Sequence, residues 1–319
     1  MMVYSKVSGA GILGFVGKTP LVELTSVVPE GCARVFVKVE SQNPTGSMKD
    51  RMALSIIDRA AESGRLGPSG FVVEYTGGST GTSLAFVCAA LGYPITVVTS
   101  DAFSQEKRDH MRALGATVIE IPSEGGKTTK KLIRSMIAEA EAIASGPDAF
   151  LADQFNNPDA AAGYAPLADE VWTDLDGKLD AFVQSVGTAQ CISGVSAALR
   201  ERRKAIEIVA VEPAESPVIS GGAPGSHKIE GVGPGFVPPI WTDEIADDVL
   251  LVSTEEANAM TQRLAKEEAL FAGTSSGANV VATIRVAERL GPGKTVVTLI
   301  CDTGLKYLST GLYSTNADT

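Results

Sequence analysis

Four cysteines and two histidines in 319 residues leave little material for several kinds of chemistry. Cys32, Cys88, Cys191 and Cys301 are scattered, with no C-x-x-C pair and no adjacent histidine. That excludes a zinc-finger spacing and a redox dithiol, and reduced thiols are expected. His110 and His227 cannot furnish a histidine-rich metal centre, and no metal is expected. No apolar run approaches the roughly 18 residues that would span a membrane. Residues 1–14 lack the basic start and solid apolar stretch of a secretory signal, so a cytoplasmic chain is expected. Positive charge is also short: 27 Lys and Arg stand against 38 Asp and Glu, a net charge of -11, with no basic cluster to offset it. Such a surface repels phosphate backbones, which argues against nucleic-acid binding.

What is present is an ordinary globular composition, 44% apolar and 20% charged. Strand-like runs at 35–40, 71–75, 95–100, 117–122, 149–153, 181–186, 206–212 and 295–301 alternate with helically spaced segments. The helical segments lie at 50–63, 82–91, 104–114, 128–143, 193–203, 254–266 and 277–290. The alternation predicts an α/β fold of mainly parallel twisted sheets covered by helices, and the length allows two lobes. A Gly- and Pro-rich stretch at 215–239 interrupts the pattern, and a loop of that length is expected to be functional or mobile.

Four segments carry chemistry. Asn43-Pro44-Thr45-Gly46-Ser47-Met48-Lys49-Asp50-Arg51 follows a strand and opens a helix, with Ser47 as the expected N-cap. Lys49 is the odd residue, a cation in a first helical turn where the macrodipole opposes positive charge. It reads equally as a solvated surface lysine or as an amine nucleophile and base. Glu74-Tyr75-Thr76-Gly77-Gly78-Ser79-Thr80-Gly81 has the grammar of strand, small-residue loop and helix start. Gly187-Thr188-Ala189-Gln190-Cys191 repeats it, and Gly273-Thr274-Ser275-Ser276-Gly277 heads another helix. Exposed N–H groups at such starts bind carboxylates or phosphates, although α/β proteins also use small residues there merely to pack. Several in one chain favour a ligand bearing both groups.

Nucleotide loops fail on spacing. Gly-Lys-Thr begins at Gly17, Gly126 and Gly293, but Ile12, Ile121 and Glu288 stand where a Walker A loop needs glycine. Gly231-Val232-Gly233-Pro234-Gly235 runs into Phe236-Val237-Pro238-Pro239, which cannot start a helix, so a dinucleotide fingerprint is absent.

In chain order these segments resemble the cysteine synthase/cystathionine β-synthase family of pyridoxal-phosphate (PLP) enzymes, of fold type II. The resemblance runs from Gly17-Lys18-Thr19-Pro20-Leu21 to Cys301-Asp302-Thr303-Gly304, with Asn-Pro-x-Gly-Ser-x-Lys-Asp-Arg its most specific motif. Gln154-Phe155-Asn156-Asn157-Pro158 and His227-Lys228-Ile229-Glu230-Gly231-Val232-Gly233 join it. It implies a smaller mobile N-terminal lobe at 40–147 and a larger cofactor-binding lobe from 1–39 and 148–319. Lys49 would carry PLP covalently and serve as the base. Gly187, Thr188, Ala189, Gln190 and Cys191 would cradle the phosphate, Ser275 would face the pyridine nitrogen, and Ser79 would touch the cofactor. Thr76, Gly77, Gly78, Thr80 and Gln154 would grip the substrate carboxylate, with Gly231 bordering the pocket.

The implied reaction is β-replacement on an O-activated L-serine of the O-acetyl-L-serine type, through an aminoacrylate, with sulfide giving L-cysteine. Cystathionine or 2,3-diaminopropionate synthesis, cysteine desulfhydration and a non-catalytic PLP-binding homologue remain open. A homodimer and capture of the C-terminal peptide of serine acetyltransferase are also implied. Three departures from the family pattern surround the site: Ser79 replaces Asn, Ala189-Gln190-Cys191 replaces Gly-Gly-Thr, and Tyr164 replaces His.

Overall fold

The computed structural model describes residues 11–126 and 129–314; residues 1–10, on which most of the leader reading rests, lie outside them. In chain order come β1 (Leu21–Leu24), β2 (Arg34–Val39), α1 (Lys49–Glu62), β3 (Phe71–Tyr75), α2 (Ser79–Leu91) and β4 (Ile95–Ser100). There follow α3 (Gln105–Ala113), β5 (Thr117–Ile121), α4 (Lys130–Ala144), β6 (Ala149–Leu151), α5 (Asp159–Ala162) and α6 (Ala165–Asp174). The remaining elements are β7 (Ala181–Ser185), α7 (Gln190–Arg202), β8 (Glu207–Pro213), β9 (Asp248–Val252), α8 (Thr254–Glu267), α9 (Thr274–Leu290) and β10 (Thr295–Ile300).

Two compact units result. One comprises residues up to Val16 with Asn43–Gly163, the other Gly17–Gln42 with Tyr164–Thr319. The first holds a four-stranded sheet in the order β5-β4-β3-β6, parallel throughout. The second holds a six-stranded sheet in the order β1-β2-β10-β7-β8-β9, parallel except for β1 against β2. The central strands β7 and β10 are buried along their whole length, as parallel strands covered on both faces must be. Edge strands β1, β5 and β9 are more exposed.

The lobes drawn from the sequence at 40–147 and at 1–39 with 148–319 shift for a physical reason. β6 pairs in parallel with β3, Val72 opposite Phe150 and Val73 opposite Leu151, which carries residues 148–163 into the smaller unit. Helices α2, α7 and α9 begin about three residues before the expected 82, 193 and 277. Their opening residues are small and polar and read as loop, yet they already form the first turn. Gly81, read as a loop residue, and Gly277, read as a helix start, both stand inside helices where a neighbour comes close. A Cβ at Gly81 would lie 2.5 Å from Met111 Sδ, and one at Gly277 would lie 2.1 Å from Ala257 O.

Candidate active site

The residues singled out in the sequence fall in both units, and each unit assembles its own group. In the smaller unit the loop before α1 is clamped by the helix it feeds. The buried Asp50 carboxylate accepts the Thr45 amide at 2.8 Å and the Thr45 hydroxyl at 2.6 Å, while Gly46 N–H donates to Asn43 O at 2.7 Å. Gly46 has φ 73°, a conformation that glycine alone takes freely. Ser47 does not occupy the cap position, which is Met48; its hydroxyl instead accepts the Lys49 amide at 3.2 Å. Lys49 is thus held half-buried as the first residue of α1. Asp50 suits a helix start and Lys49 does not, so helix stability does not account for the lysine.

The second group leaves β3. Thr76 N–H donates to Val98 O at 3.0 Å, and its hydroxyl accepts Gly78 N–H at 3.1 Å, curling the loop into α2. Gly77 packs against the Phe103 ring and Gly78 against the Lys107 side chain, where a Cβ would lie 2.6 Å and 2.3 Å from the nearest carbons. The Thr80 hydroxyl donates to Gln154 Oε1 at 2.7 Å, and Gln154 Nε2 donates to Tyr75 O at 3.3 Å. Thr76, Gly77, Gly78, Ser79, Thr80 and Gln154 therefore form one cluster.

Glu74, fully buried at the end of β3, was not among the expected site residues. Its Oε1 accepts Tyr75 N–H at 3.0 Å and its Oε2 accepts Gln154 N–H at 3.2 Å. Burial pushes its carboxyl up to about 8, against the lowering effect of the Gln154 amide. The available signal was a lone carboxylate in the apolar strand Phe-Val-Val-Glu-Tyr.

In the larger unit, β7 runs through Val186-Gly187-Thr188-Ala189 into α7. Ala189 adopts φ 64°, and the helical ladder starts with Ser193 N–H donating to Ala189 O at 3.0 Å. The amides of residues 190–192 precede that ladder. A left-handed residue running into a helix start is the geometry of an anion nest. Gly187 has no room for a side chain, since a Cβ would stand 2.4 Å from Gly231 O. Thr188, Ala189, Gln190 and Cys191 are all buried, and all four cysteines are free thiols.

Ser275 lies in the first turn of α9, 5% exposed. Its helix is pinned from several directions: Cys301 N–H donates to Ser276 Oγ at 2.9 Å, and Asn279 Oδ1 accepts Ser185 N–H at 2.7 Å. Tyr307 donates its hydroxyl to Asp302 Oδ2 at 2.8 Å. Burial, with Asp302 beside it, holds that phenol well above its ordinary range, so it remains a donor. Asn279 and Tyr307 were missed because a helical Asn and a tyrosine near the end of the chain carry no pattern of their own.

In the larger unit, a nest for an anion and a buried hydroxyl at a helix start form a donor set suited to a phosphorylated pyridine; in the smaller unit, an amine stands at another helix start. Parallel open sheets with such loops at the strand ends define the fold type II class of PLP enzymes. Residues 12–302 match the family model described as pyridoxal-phosphate dependent enzyme. The cysteine synthase of Staphylococcus aureus (strain Mu50 / ATCC 700699) is 42% identical over 305 residues, covering 95% of this chain and 96% of that protein. The crystal structure of cysteine synthase from Entamoeba histolytica superposes with a TM-score of 0.89 at 37% identity, covering 97% of this chain and 92% of that one. The O-acetylserine dependent cystathionine β-synthase of Helicobacter pylori superposes with a TM-score of 0.88 at 36% identity, covering 95% and 98%. The chain belongs to the pyridoxal-phosphate dependent enzyme family, as an enzyme of the cysteine synthase type.

Proposed function

We propose that this enzyme replaces the acetate of O-acetyl-L-serine with sulfide, releasing L-cysteine and acetic acid. The observation that carries the reading is Lys49, presented at the first turn of α1 by a loop that the Asp50 carboxylate clamps. Bound PLP supplies the electron sink that makes the substrate Cα–H acidic and lets the Cβ substituent leave. Lys49 would hold the cofactor between turnovers; once the substrate's own amine displaced it, the freed Lys49 amine would take the α-proton and return it when the product formed. The 187–191 loop takes the phosphate on its backbone amides, and Ser275 offers a hydroxyl to the pyridine nitrogen. A hydroxyl does not hold that nitrogen protonated as a carboxylate would, which suits elimination and addition at Cβ.

The 76–80 loop and the α2 start take the substrate carboxylate, with Gln154 fixing Thr80. Ser79, at the start of α2, would touch the cofactor, and Gly231 would border the pocket. Mobility of the smaller unit would let carboxylate binding exclude water from the reacting atoms.

The test is the visible spectrum of the holoenzyme titrated with O-acetyl-L-serine before any nucleophile, followed by sulfide. A spectral change reversed by sulfide with formation of L-cysteine is expected; no response to any activated serine overturns the reading. The departures at Ser79 and 189–191 favour testing a second nucleophile, homocysteine, in the same titration. The family resemblance also supports a cytoplasmic homodimer. It further supports capture of the carboxylate-ending peptide of serine acetyltransferase by the 76–80 loop, to be checked by sedimentation and peptide competition. Among the described residues no helix is long and apolar enough to cross a membrane.

A further inference from the structure

His227 stands at the end of an exposed, Gly- and Pro-rich stretch, and both ring nitrogens are engaged within six residues. Nδ1 accepts Ile229 N–H at 3.3 Å, and Nε2 lies 2.9 Å from Gly233 O. A nitrogen that accepts an amide proton carries none of its own, so the proton sits on Nε2 and is donated to Gly233 O. The ring therefore closes the 229–233 turn from both sides. With both nitrogens occupied, it has none left for proton transfer to a substrate.

The turn it closes reaches both cofactor segments of its unit. Gly233 N–H donates to Val186 O at 3.0 Å, and Gly231 O lies against Gly187, too close for any side chain there. At the same time Glu230 N–H donates to Thr274 Oγ1 at 3.0 Å, one residue before Ser275. Gly233 itself has φ 57°, and a Cβ on it would meet Pro213 and His227 Nε2 at 2.6 and 2.8 Å. The turn thus has one packed arrangement, and the loop at 186–187 rests on it.

We propose that His227 is a positioning residue for cofactor binding: by stapling the 229–233 turn it fixes the 187–191 loop in the shape that receives the PLP phosphate. The inference rests on reading that loop as the phosphate site. Losing the staple disorders the loop's support without touching Lys49, so the deficit falls on the phosphate rather than on the pyridine aldehyde.

The experiment is equilibrium dialysis of the full chain with PLP and, separately, with pyridoxal, which lacks the phosphate. Wild type is expected to prefer PLP by well over tenfold, since charge-assisted bonds to phosphate are the strong ones. His227→Ala is expected to lower the PLP-to-pyridoxal preference about tenfold, the worth of two ordinary hydrogen bonds, with pyridoxal binding within about threefold of wild type. His227→Gln, whose amide nitrogen can replace Nε2–H toward Gly233 O, should recover most of the preference. His227→Asn, which reaches only as far as Nδ1, should not, and this pair decides the matter if the alanine variant fails to fold. A wild-type preference retained in His227→Ala and His227→Asn overturns the proposal, as does an equal loss for PLP and pyridoxal. A wild type that binds both equally overturns the phosphate-loop reading itself.

Discussion

Gly187→Ala is the sharpest perturbation available, because the added atom meets backbone and nothing flexible can step aside. The methyl would stand 2.4 Å from Gly231 O, roughly 1 Å inside ordinary contact. Either the loop or the 229–233 turn must yield. The turn is held by Gly233 N–H to Val186 O at 3.0 Å, by His227 to Gly233 O at 2.9 Å and by Glu230 N–H to Thr274 Oγ1 at 3.0 Å. Giving up one or two of these at about 0.5–1.5 kcal/mol each, on top of about 1–3 kcal/mol for overpacking, totals roughly 1.5–6 kcal/mol. If the loop yields, the low end alone weakens PLP binding by about 10-fold. If the fold yields, Tm drops by about 2–4 °C per kcal/mol in a domain of this size. Thermal unfolding with and without PLP, together with a PLP titration, separates the two. Gly67→Ala is the control, since a Cβ there meets nothing within 4 Å and should leave both readouts near wild type. A Gly187→Ala protein with wild-type Tm and wild-type PLP affinity would refute the claim that this close approach shapes the loop.

Lys49→Ala should abolish turnover by at least about 1,000-fold, as expected for loss of a nucleophile and base, while apoprotein Tm holds or rises because a cation leaves a first helical turn; persistent cysteine formation would sink the assignment. Asp50→Asn should cost about 1–3 kcal/mol, because an amide cannot accept both the Thr45 N–H and the Thr45 hydroxyl as the carboxylate does; chemical denaturation checks it. Glu74 predicts a pH slope. Burial raises its carboxyl from 4.5 to about 8, so the folded protein keeps a proton that the unfolded chain releases in that window. The contribution is fully present below 4.5 and is lost as pH rises through about 8. Glu74→Gln should therefore show a flatter fall in stability across that range, and identical slopes in the two proteins would refute the shift.

Much of this was legible in the sequence, for identifiable reasons. The strand runs at 71–75, 95–100 and 181–186 coincide with β3, β4 and β7 because parallel strands covered on both faces are nearly continuous apolar runs. β1 and β9 escaped: Leu-Val-Glu-Leu is four residues long, and Asp-Val-Leu-Leu-Val lies on an edge. Helix starts were read late wherever the first turn is made of Ser, Thr, Gly or Gln, since such residues form loops and first turns alike. The motif residues at 76–80 and 187–191 were visible as small-residue loops, but their supports were not. Glu74, Asn279 and His227 act through partners 80, 94 and up to 6 residues away, and a single sequence has no period that reports such pairs.

The residues at 189–191 that depart from the family pattern sit on a backbone held from its flanks. Ala189 holds φ 64°, a conformation that costs a residue with a Cβ about 1–2 kcal/mol relative to the right-handed region. A strained residue persists only where its surroundings over-determine it, and such positions gather at ligand sites. Here the surroundings are Ser193 N–H on Ala189 O, Val211 O on Val186 N–H, and the Gly231 carbonyl against Gly187. These contacts fix the nest from its flanks, so the side chains at 189–191 can change while the amides that would meet a phosphate keep their arrangement. An alanine held in a left-handed conformation is stronger evidence for a ligand than a glycine there would be, because glycine takes that conformation at no steric cost.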